Sequence, residues 1–417
     1  MKRQVVVVGA GPGGSSAAFY LAKKGLDVLL IDKETWPREK VCGDNWQASL
    51  YPIFREMGIY EELEAHKQSE LQVITMVGPG EETVNFKVEN AEWLIPRRIA
   101  DDIIRRAALR AGADFMEGFE ATELIIKKGQ VRGIKGYHNN HEMTVEADLV
   151  VLANGSHSIL ARQVGIFNND PASYMFAIRG YWEGVENAVN GNCIWIYDPD
   201  FMPVADKDLL EEHYFMPMWI NIIDDDATKA SVGCCCSEGL LRAHNMSLDG
   251  FHNYWLKHSK TAQKYLKNAR CVDGMKGWRL PCAKQIQKNY APGVMVVGDA
   301  ASAPDPCYYY GIAPAMYGGK ICADIAEKAF AEDNFSNDVL AQFQTLLGNM
   351  FNEHWAQYVA IRQNVVSKRE IARDLIRFAK ERPEYPDIYY GETFGAYMQE
   401  VLKRSDGKFS FGSHLAE

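Results

Sequence analysis

The patterns that this sequence lacks exclude several classes of protein. The 417 residues contain no C-x-x-C pair and no H-x-x-x-H pair, so we expect no metal site. A G-x-S-x-G motif, the nucleophile turn of α/β-hydrolases, is also absent. No apolar run reaches the roughly 18 residues that a membrane-spanning helix needs. Because the net charge is −10, the chain repels phosphate backbones, and we expect no nucleic acid partner.

The cysteines and the N-terminus indicate a cytoplasmic protein. The nine cysteines are odd in number, and three of them are consecutive, Cys234-Cys235-Cys236. Neighbouring side chains on a strand point to opposite faces, so this triplet is poorly suited to forming a disulfide. The first residues, a basic pair and a short run of valines, do not have the pattern of a signal peptide. We therefore expect reduced thiols and a cytoplasmic location.

The first glycine-rich motif stands between a strand and a helix. A buried strand at residues 4–8 leads into Gly9-Ala10-Gly11-Pro12-Gly13-Gly14, and a helix at 14–24 and a strand at 27–32 follow. In a dinucleotide fingerprint, the glycines make the turn, let the backbone approach a pyrophosphate and pack the helix on the strand. Asp32, at the end of the second strand, is the expected partner of a ribose hydroxyl. A glycine-rich turn without a ligand is the alternative.

The second motif has the same context near the other end of the chain. A buried strand at 293–298 ends in Gly298-Asp299-Ala300-Ala301, and a helix at 311–331 follows. Asp299 is expected to accept hydrogen bonds from ligand hydroxyls, although an aspartate in this position can also be a helix cap. Because this motif occurs together with the first one, ligand binding is the favoured interpretation of Asp299.

The predicted elements suggest interleaved domains. Runs of β-branched and aromatic residues at 176–183, 191–197, 212–223 and 230–237 are typical of antiparallel strands. We therefore predict an α/β fold in which residues 1–170 and 278–335 form a nucleotide-binding domain. Residues 171–277 would form a β-rich substrate domain, and residues 336–417 a C-terminal helical region.

Three further segments resemble a known family. Lys40-Val41-Cys42-Gly43-Asp44 is similar to its K-x-C-G-[GD] motif, Arg97 and Asp101 to its R-x-x-x-D helix, and residues 153–165 to its A-D-G-x-x-S-x-L-A-R-x-x-G segment. With the two glycine motifs, they resemble the flavoprotein superfamily of aromatic hydroxylases and geranylgeranyl reductases, especially its geranylgeranyl-reductase-like branch. The resemblance covers about 1–165 and 278–332. It implies a Rossmann-like FAD-binding domain of the p-hydroxybenzoate hydroxylase type, interleaved with an antiparallel substrate sheet, and an Arg97 that lies near FAD.

The chain departs from this family at two positions. Asn154 stands where the superfamily has aspartate. In the loop Pro306-Cys307-Tyr308-Tyr309-Tyr310-Gly311, Tyr309 replaces the first glycine of P-x-x-G-x-G, a loop that borders the flavin ring in the family. We therefore expect a substrate other than the prenyl group of the named branch. Tyr309 either faces the substrate, where its hydroxyl donates a proton or orients the substrate, or packs inward and shapes the loop.

The candidate site residues follow from these motifs and the resemblance. Cys42 and Tyr309 are the candidate catalytic residues, but Cys42 can equally be a small buried filler. The candidate cofactor-binding residues are Gly9, Ala10, Gly11, Pro12, Gly13, Gly14, Asp32, Lys33, Lys40, Arg97, Gly298, Asp299, Gly311 and Ile312.

Three functions fit this reading. In the first, FAD exchanges a hydride with a C=C or C–C bond of an apolar or aromatic small molecule. In the second, the flavin hydroxylates an aromatic compound. In the third, the flavin carries electrons to a quinone or to a partner protein. Halogenation is disfavoured, because the halogenase signature W-x-W-x-I-P is absent around Trp219. No second G-x-G-x-x-G occurs, so NAD(P)H visits transiently or a protein donates the electrons. The basic helix near 368–382 either touches anionic lipid or packs its apolar side on the body.

Overall fold

The structure is a computed structural model, and it describes residues 1–168, 173–196, 218–243, 245–361 and 369–382. It contains two sheets with helices packed on both. The strands are β1 (Lys2–Val8), β2 (Val28–Ile31), β3 (Asn45–Trp46), β4 (Ser69–Val77), β5 (Thr83–Leu94), β6 (Asp114–Met116), β7 (Phe119–Lys127), β8 (Gln130–His138), β9 (His141–Leu152), β10 (Tyr174–Glu183), β11 (Asn192–Ile196), β12 (Met218–Ile222), β13 (Lys229–Ser237), β14 (Arg270–Cys271), β15 (Lys276–Pro281), β16 (Tyr290–Ala291) and β17 (Val294–Val296). The helices are α1 (Pro12–Lys23), α2 (Tyr51–Glu56), α3 (Tyr60–Glu64), α4 (Arg97–Arg110), α5 (Ile159–Gln163), α6 (Glu238–Ala243), α7 (Leu248–His258), α8 (Lys260–Leu266), α9 (Ile312–Ala331), α10 (Asn337–Ile361) and α11 (Arg369–Lys380).

The first sheet is built around a parallel core. Its main strand order is β6-β2-β1-β9-β17-β16, and β7 and β8 form a meander with the first half of β9. β1 pairs in parallel with both β2 and β9, and β17 pairs in parallel with β9. The central strand β1 is rich in valine because both of its faces are covered. The carboxyl ends of β1, β2 and β17 therefore meet at one edge, which brings Gly9, Asp32 and Gly298 together.

The second sheet is mostly antiparallel and has two different faces. Its main order is β14-β10-β13-β12-β11-β4-β5-β3, and β15 adds to β10. Alternate residues of β10, β12 and β13 pack against α7 and α8, whereas the residues between them face the opposite way. The three consecutive cysteines follow this alternation: Cys234 and Cys236 belong to the core beneath the helices, and Cys235 lies in a separate cluster on the other face.

The mixed α/β architecture with a Rossmann-like parallel sheet confirms the predicted fold class. The buried strand predicted before Gly298 is present as β17. Helices α7 and α8 are separate because Ser259 ends one and caps the next. Strands β3, β4 and β5 join the second sheet, so the N-terminal part of the chain contributes to both sheets. The exact domain boundaries stay a prediction.

The C-terminal helices pack on this framework. α10 packs against α9, and the helix α11 lies beside β5. Leu375, Ile376 and Ala379 of α11 are buried, while Arg373 and Arg377 are exposed. The apolar side of α11 thus packs on the body, and contact with lipid stays a prediction. Lys368 and residues 383–417 lie outside the described residues, as do Tyr197, Tyr214 and Phe215.

Two adjacent glycines of α9 offer a test of how closely α1 and α9 pack. A Cβ atom on Gly319 would lie 2.6 Å from the Ala17 nitrogen and 2.7 Å from the Gly13 oxygen, whereas one on Gly318 would only touch Leu347 at 3.8 Å. We expect Gly319→Ala to lower the free energy of unfolding by about 1–3 kcal/mol. The matched change Gly318→Ala should leave it unchanged or raise it by up to ~1 kcal/mol through helix propensity. Urea denaturation of the two variants distinguishes them, and equal stability would contradict the close packing.

Candidate active site

A cleft of about 790 Å³ lies between the carboxyl edge of the first sheet and the face of the second sheet that points away from α7 and α8. Both glycine motifs border it, and so do the Lys40–Gly43 segment and the tyrosine loop. From the second sheet it receives Ala177, Arg179, Trp195, Trp219, Asn221 and Cys235. Fourteen of the sixteen candidate residues line this cleft, and the two exceptions are Ala10 and Gly14.

The glycines of the first motif have three different environments. Gly9 has a φ of +100°, and a Cβ there would meet the Ala153 backbone. A Cβ on Gly14 would collide with the Gly9 oxygen, so Gly14 serves helix–strand packing. At Gly11, in contrast, the nearest atom to an added Cβ is Nη2 of Arg38, at 3.5 Å. Gly11 is therefore the position where the protein leaves space beside the N-terminus of α1, which no side chain caps.

Asp32 follows β2 at the carboxyl edge of the first sheet, where Gly9 and Gly298 also lie, and we call this the nucleotide edge. Its Oδ2 accepts a hydrogen bond from the Ala10 N–H at 2.8 Å, and its Oδ1 accepts one from the Glu34 N–H at 2.9 Å. Ala10 thus acts through Asp32 rather than by lining the cleft. Lys33, the next residue, is exposed at the rim of the cleft. A carboxylate has room for more than two hydrogen bonds, so the ribose role of Asp32 fits this geometry and stays a prediction.

Asp299 and the start of α9 form the second part of the nucleotide edge. Within the described part of the chain, the Asp299 carboxylate has no hydrogen-bond partner in the protein. If Gly311 carried a Cβ atom, that atom would lie 3.2 Å from Asp299 Oδ1. A side chain on Gly311 would therefore crowd this carboxylate. Ile312 begins α9, and it lines the cleft next to Gly311. The residues present fit a ligand that offers hydroxyl donors, as the ribityl chain of FAD does.

Lys40 lines the same cleft. Its Nζ lies 3.7 Å from the ring centroid of Trp278, which is a cation–π contact. Burial lowers the pKa of Lys40 to about 7, although the charge of Asp299 acts in the other direction. Lys40 thus changes its charge near neutral pH unless an anionic ligand keeps it protonated.

Arg97 and Cys42 are held in a buried ionic cluster. Arg97 makes a bidentate pair with Asp101, with Nε–Oδ1 and Nη2–Oδ2 distances of 2.6 and 2.9 Å, and Arg38 adds a third contact at 2.9 Å. Burial alone would raise the pKa of Asp101, but the two arginines hold it below its usual value. The Arg97 guanidinium also interacts with the Cys42 side chain. Cys42 lines the cleft and is only partly buried, and its catalytic role stays a prediction.

Sequence reasoning missed a second arginine beside Cys42. Arg179 of β10 donates from Nε to the Cys42 carbonyl at 2.9 Å and pairs with Asp273 at 3.3 Å. It also lies 3.8 Å from Asp44, which accepts a hydrogen bond from Tyr181 at 2.6 Å. Burial raises the pKa of Asp44 to about 6, against the influence of Arg179. The alternation of β10 was the one available signal, since it places Arg179 on the same face as Ala177 and Tyr181.

The tyrosine loop keeps a backbone that suits glycine. Tyr309 has a φ of +61°, in the left-handed region that non-glycine residues rarely occupy. The buried carboxylate of Asp305 holds this conformation, because it accepts hydrogen bonds from the N–H groups of Cys307, Tyr308 and Tyr310 at 2.9, 2.7 and 2.6 Å. The Tyr309 ring is buried among Ala177, Cys235 and other residues, and it borders the cleft.

Aromatic rings continue from this loop across the second sheet. Tyr308 lies 5.9 Å from Trp195 and 6.2 Å from Tyr310, with ring planes tilted by 32° and 31°. Trp195 is the direct cross-strand neighbour of Trp219. All four side chains line the cleft. The aromatic wall, as we call Trp195, Trp219, Tyr308 and Tyr310, provides a surface for a planar or apolar ligand.

Comparison with known proteins agrees with this geometry. Residues 2–199 match the family model described as FAD binding domain. Over 357 residues the chain is 28% identical to a digeranylgeranylglycerophospholipid reductase of Methanococcoides burtonii, covering 82% of this chain and 79% of that protein. The chain is an FAD-dependent oxidoreductase. It resembles the geranylgeranyl-reductase-like flavoproteins, as the motifs indicated.

Solved structures show the same fold. A geranylgeranyl bacteriochlorophyll reductase-like protein of Thermoplasma acidophilum superposes with a TM-score of 0.81 at 21% identity, over 97% of this chain and 98% of that one. A flavin-dependent brominase superposes with a TM-score of 0.72 at 21% identity, over 97% and 92%. Because one fold serves reductases and halogenases, this likeness does not decide the reaction. In the described residues, no helix combines the length and apolar character of a membrane span, and no cluster of His, Cys, Asp or Glu is suited to a metal.

The different environments of Gly11 and Gly14 make a paired prediction. We expect Gly11→Val to abolish FAD binding with little loss of stability in the FAD-free protein, within about 0.5 kcal/mol, because its side chain enters the cleft. Gly14→Val should destabilise the fold by about 1–3 kcal/mol, because it meets the Gly9 backbone. The flavin absorbance of the purified proteins and urea denaturation after FAD removal measure both effects. A Gly11→Val protein with stoichiometric FAD would contradict the fingerprint.

The unpaired Asp299 carboxylate makes a second prediction. Asp299→Ala should weaken FAD binding by about 1.5–3 kcal/mol, the range of a charge-assisted hydrogen bond. Because the carboxylate has no protein partner among the described residues, stability without FAD should hardly change. Titration of the FAD-free protein with FAD gives the dissociation constant, and the exposed Asp333, changed to Ala, is the control. An unchanged affinity would leave Asp299 with a purely structural role at the short helix that follows β17.

Proposed function

We propose that this protein exchanges a hydride between FAD and a carbon–carbon bond of an apolar or aromatic small molecule, in the direction of C=C reduction or of dehydrogenation. The observation that carries the proposal is one cleft that joins both nucleotide motifs, the aromatic wall, Cys42 and Tyr309. The reductase named among the relatives supports reduction as the direction. When bound, FAD supplies the hydride chemistry, and the protein supplies position and charge.

The residues of the nucleotide edge would hold the cofactor. The open position at Gly11 and the uncapped N-terminus of α1 suit a pyrophosphate. Asp32 would bind the ribose of the adenosine, and Asp299 the ribityl hydroxyls. The start of α9, at Gly311 and Ile312, presents its N–H groups and positive dipole end to the same cleft.

Reduction of a C=C bond adds a hydride to one carbon and a proton to the other, so the site needs a proton donor. Cys42 and Tyr309 both border the cleft. Cys42 contacts two arginines, since Arg97 interacts with its side chain and Arg179 donates to its carbonyl oxygen. The Tyr309 ring is fixed by its packing against β10 and β13. We favour Tyr309 as the donor, and Cys42 as a neighbour that shapes the space near the flavin.

The source of electrons is a separate part of the proposal. The first motif is the only G-x-G-x-x-G in the sequence, and it serves FAD. Reducing equivalents would therefore come from NAD(P)H that binds transiently, or from a partner protein. Stopped-flow mixing of the oxidised protein with NADH or NADPH measures this step directly.

Hydroxylation of an aromatic substrate is the second candidate. The aromatic wall favours it as much as it favours a reductase, because both reactions need a flat ligand against the flavin. Electron transfer to a quinone or protein is a third candidate, and it does not use the proton donors. Halogenation has weaker support, although a brominase shares the fold, because the W-x-W-x-I-P signature is absent.

An anaerobic experiment separates these functions. The FAD-loaded protein is reduced with dithionite, mixed with a panel of conjugated and aromatic compounds without oxygen, and followed at the flavin absorbance near its oxidised maximum. Reoxidation with formation of the saturated product supports hydride transfer. No reoxidation without oxygen, followed by formation of a hydroxylated product once oxygen is admitted, would support hydroxylation instead. Reoxidation only by quinones, with the quinone ring returned as quinol, would support the electron carrier.

Tyr309→Phe tests the proton donor. The change removes one hydroxyl group and little volume, so the packing against Ala177 and Cys235 should survive. We expect turnover to fall tenfold or more, toward the lower end of the ~10²–10⁴ range of general-acid catalysis, while FAD stays bound. Tyr137→Phe, which changes an exposed tyrosine of β8, is the matched control.

The same variant separates a proton donor from a purely structural tyrosine. A donor changes the rate of the step that consumes protons, so the solvent deuterium isotope effect on turnover should also change in Tyr309→Phe. Turnover within a factor of two of the unmodified protein, with normal substrate binding, would give Tyr309 a purely structural role. Cys42 would then be the remaining candidate proton donor.

A further inference from the structure

Tyr308 lies between the cleft and the C-terminal helix α10. Its ring lines the cleft as part of the aromatic wall, where its centroid lies 5.9 Å from that of Trp195 and 6.2 Å from that of Tyr310. The same ring meets Tyr358 of α10 edge to face, with centroids 5.3 Å apart and an angle of 87° between the ring planes. Tyr358 does not line the cleft, and neither does any other described residue of α10. Tyr308 therefore separates the cleft from this part of α10.

The position of Tyr308 is fixed by its own loop and by the ring behind it. The backbone N–H of Tyr308 donates to the buried carboxylate of Asp305 at 2.7 Å, and the next residue, Tyr309, packs against β10 and β13. Burial, and then the charge of Asp305, raise the pKa of Tyr358 to about 12, so Tyr358 is uncharged at physiological pH. Tyr308 thus has a neutral aromatic support on the side that faces away from the cleft.

The region behind Tyr308 is apolar. Tyr358 packs against the hydrophobic core that α1, α4 and α9 form with one face of the first sheet, and α10 contributes Phe343, Leu347 and Trp355 to this core. Without the Tyr308 ring, the cleft would therefore lead towards Tyr358 and this core. A hydrocarbon chain that entered there would gain affinity, ~fourfold for each methylene group that becomes buried.

The volume of the cleft also favours a compact substrate. The cleft measures about 790 Å³, and both the nucleotide motifs and the aromatic wall border it. A pocket of roughly 300–1,000 Å³ typically encloses one drug-sized ligand, and FAD is larger than such a ligand. When the cofactor is bound, the space that is left at the aromatic wall therefore suits a small ring system better than a long chain.

We propose that Tyr308 is a specificity-determining residue, which closes the cleft towards α10 with Tyr358 behind it and so limits the substrate to a compact molecule without a long hydrocarbon chain. This rests on the proposed function, since it concerns the substrate of the same cleft. Trp195 and Tyr310 hold the flat part of the substrate, and Tyr308 limits its length. A substrate with a long isoprenoid or fatty-acyl chain would have to displace the Tyr308 ring, which Tyr358 supports from the other side.

The test measures binding to the oxidised, FAD-loaded protein, through the change in flavin absorbance during titration. The probes are 2-methyl-, 2-butyl- and 2-octylnaphthalene, delivered at one fixed concentration of cyclodextrin. The quantity compared is the dissociation constant of the octyl compound divided by that of the butyl compound, since the solubility of the probes affects this ratio equally in every variant. We expect the ratio to be at least tenfold lower in Tyr308→Ala than in the unmodified protein, because the longer chain then has room towards α10.

Further variants separate the size of the ring from other effects of the change. Tyr308→Phe keeps the ring and should keep the ratio of the unmodified protein. Tyr358→Ala removes the support without changing a residue that lines the cleft, and it should lower the ratio in part. Tyr137→Ala, which changes an exposed tyrosine of β8, is the matched control and should leave the ratio unchanged. If Tyr308→Ala loses FAD or stability, Tyr308→Leu provides the second comparison and should give an intermediate ratio.

Two results would overturn the length limit. In the first, the octyl compound already binds the unmodified protein more tightly than the butyl compound, by the factor expected for its additional buried methylene groups. In the second, Tyr308→Ala and Tyr308→Leu keep the ratio of the unmodified protein, so that another part of the cleft limits the length. Both results leave hydride transfer intact, because the anaerobic reoxidation of the reduced protein measures the reaction separately. Failure of reoxidation together with a lower ratio in Tyr308→Ala would instead reject the proposed function and keep the length limit.

Discussion

The whole site depends on the parallel register of β1 with β2 and β9, and of β9 with β17. Parallel strands end at the same edge of a sheet, and here the three strands that carry Gly9, Asp32 and Gly298 end beside one another. The contact of Gly14 with the Gly9 oxygen lets α1 lie close to this edge. The small residues of α1 and α9 then bring both helix N-termini to the cleft, with Ser16 donating to the Met316 carbonyl at 2.7 Å. A slip in any one register would separate the two motifs.

Much of the first sheet could be predicted from the sequence, because its signals are local. A strand, a glycine turn, a helix and an acid follow one another within 32 residues, and each has a recognised pattern. The second sheet was harder to predict from the sequence. The alternation of β10 to β13 predicts strands but not which face meets the cofactor, so Arg179 was missed as a site residue. The hairpin of β4 and β5 gave no comparable signal, and it was not predicted.

Ala10 and Gly14 illustrate a different limit. Both were predicted to bind the cofactor because they lie in the glycine motif, yet neither lines the cleft. Gly14 serves packing, as the fingerprint also requires, and Ala10 uses its N–H to fix Asp32. A motif specifies a backbone path, and only the folded path decides which of its residues face the ligand and which support the ones that do.

Tyr309 shows how a glycine position can accept a large side chain. The left-handed backbone costs a non-glycine residue about 1–2 kcal/mol, and the fold retains it rather than moving the loop. Asp305 offsets this cost, because its carboxylate accepts hydrogen bonds from the backbone N–H groups of Cys307, Tyr308 and Tyr310. The ring gains burial among Met175, Ala177 and Cys235 of the second sheet. The substitution therefore ties the tyrosine loop, which follows the first sheet, to the face of the second sheet. Arg179 makes the reciprocal link, from β10 to the Cys42 carbonyl. Through these two links, the positions of the tyrosine loop and of the Lys40–Gly43 segment at the cleft depend on β10 and β13 of the second sheet.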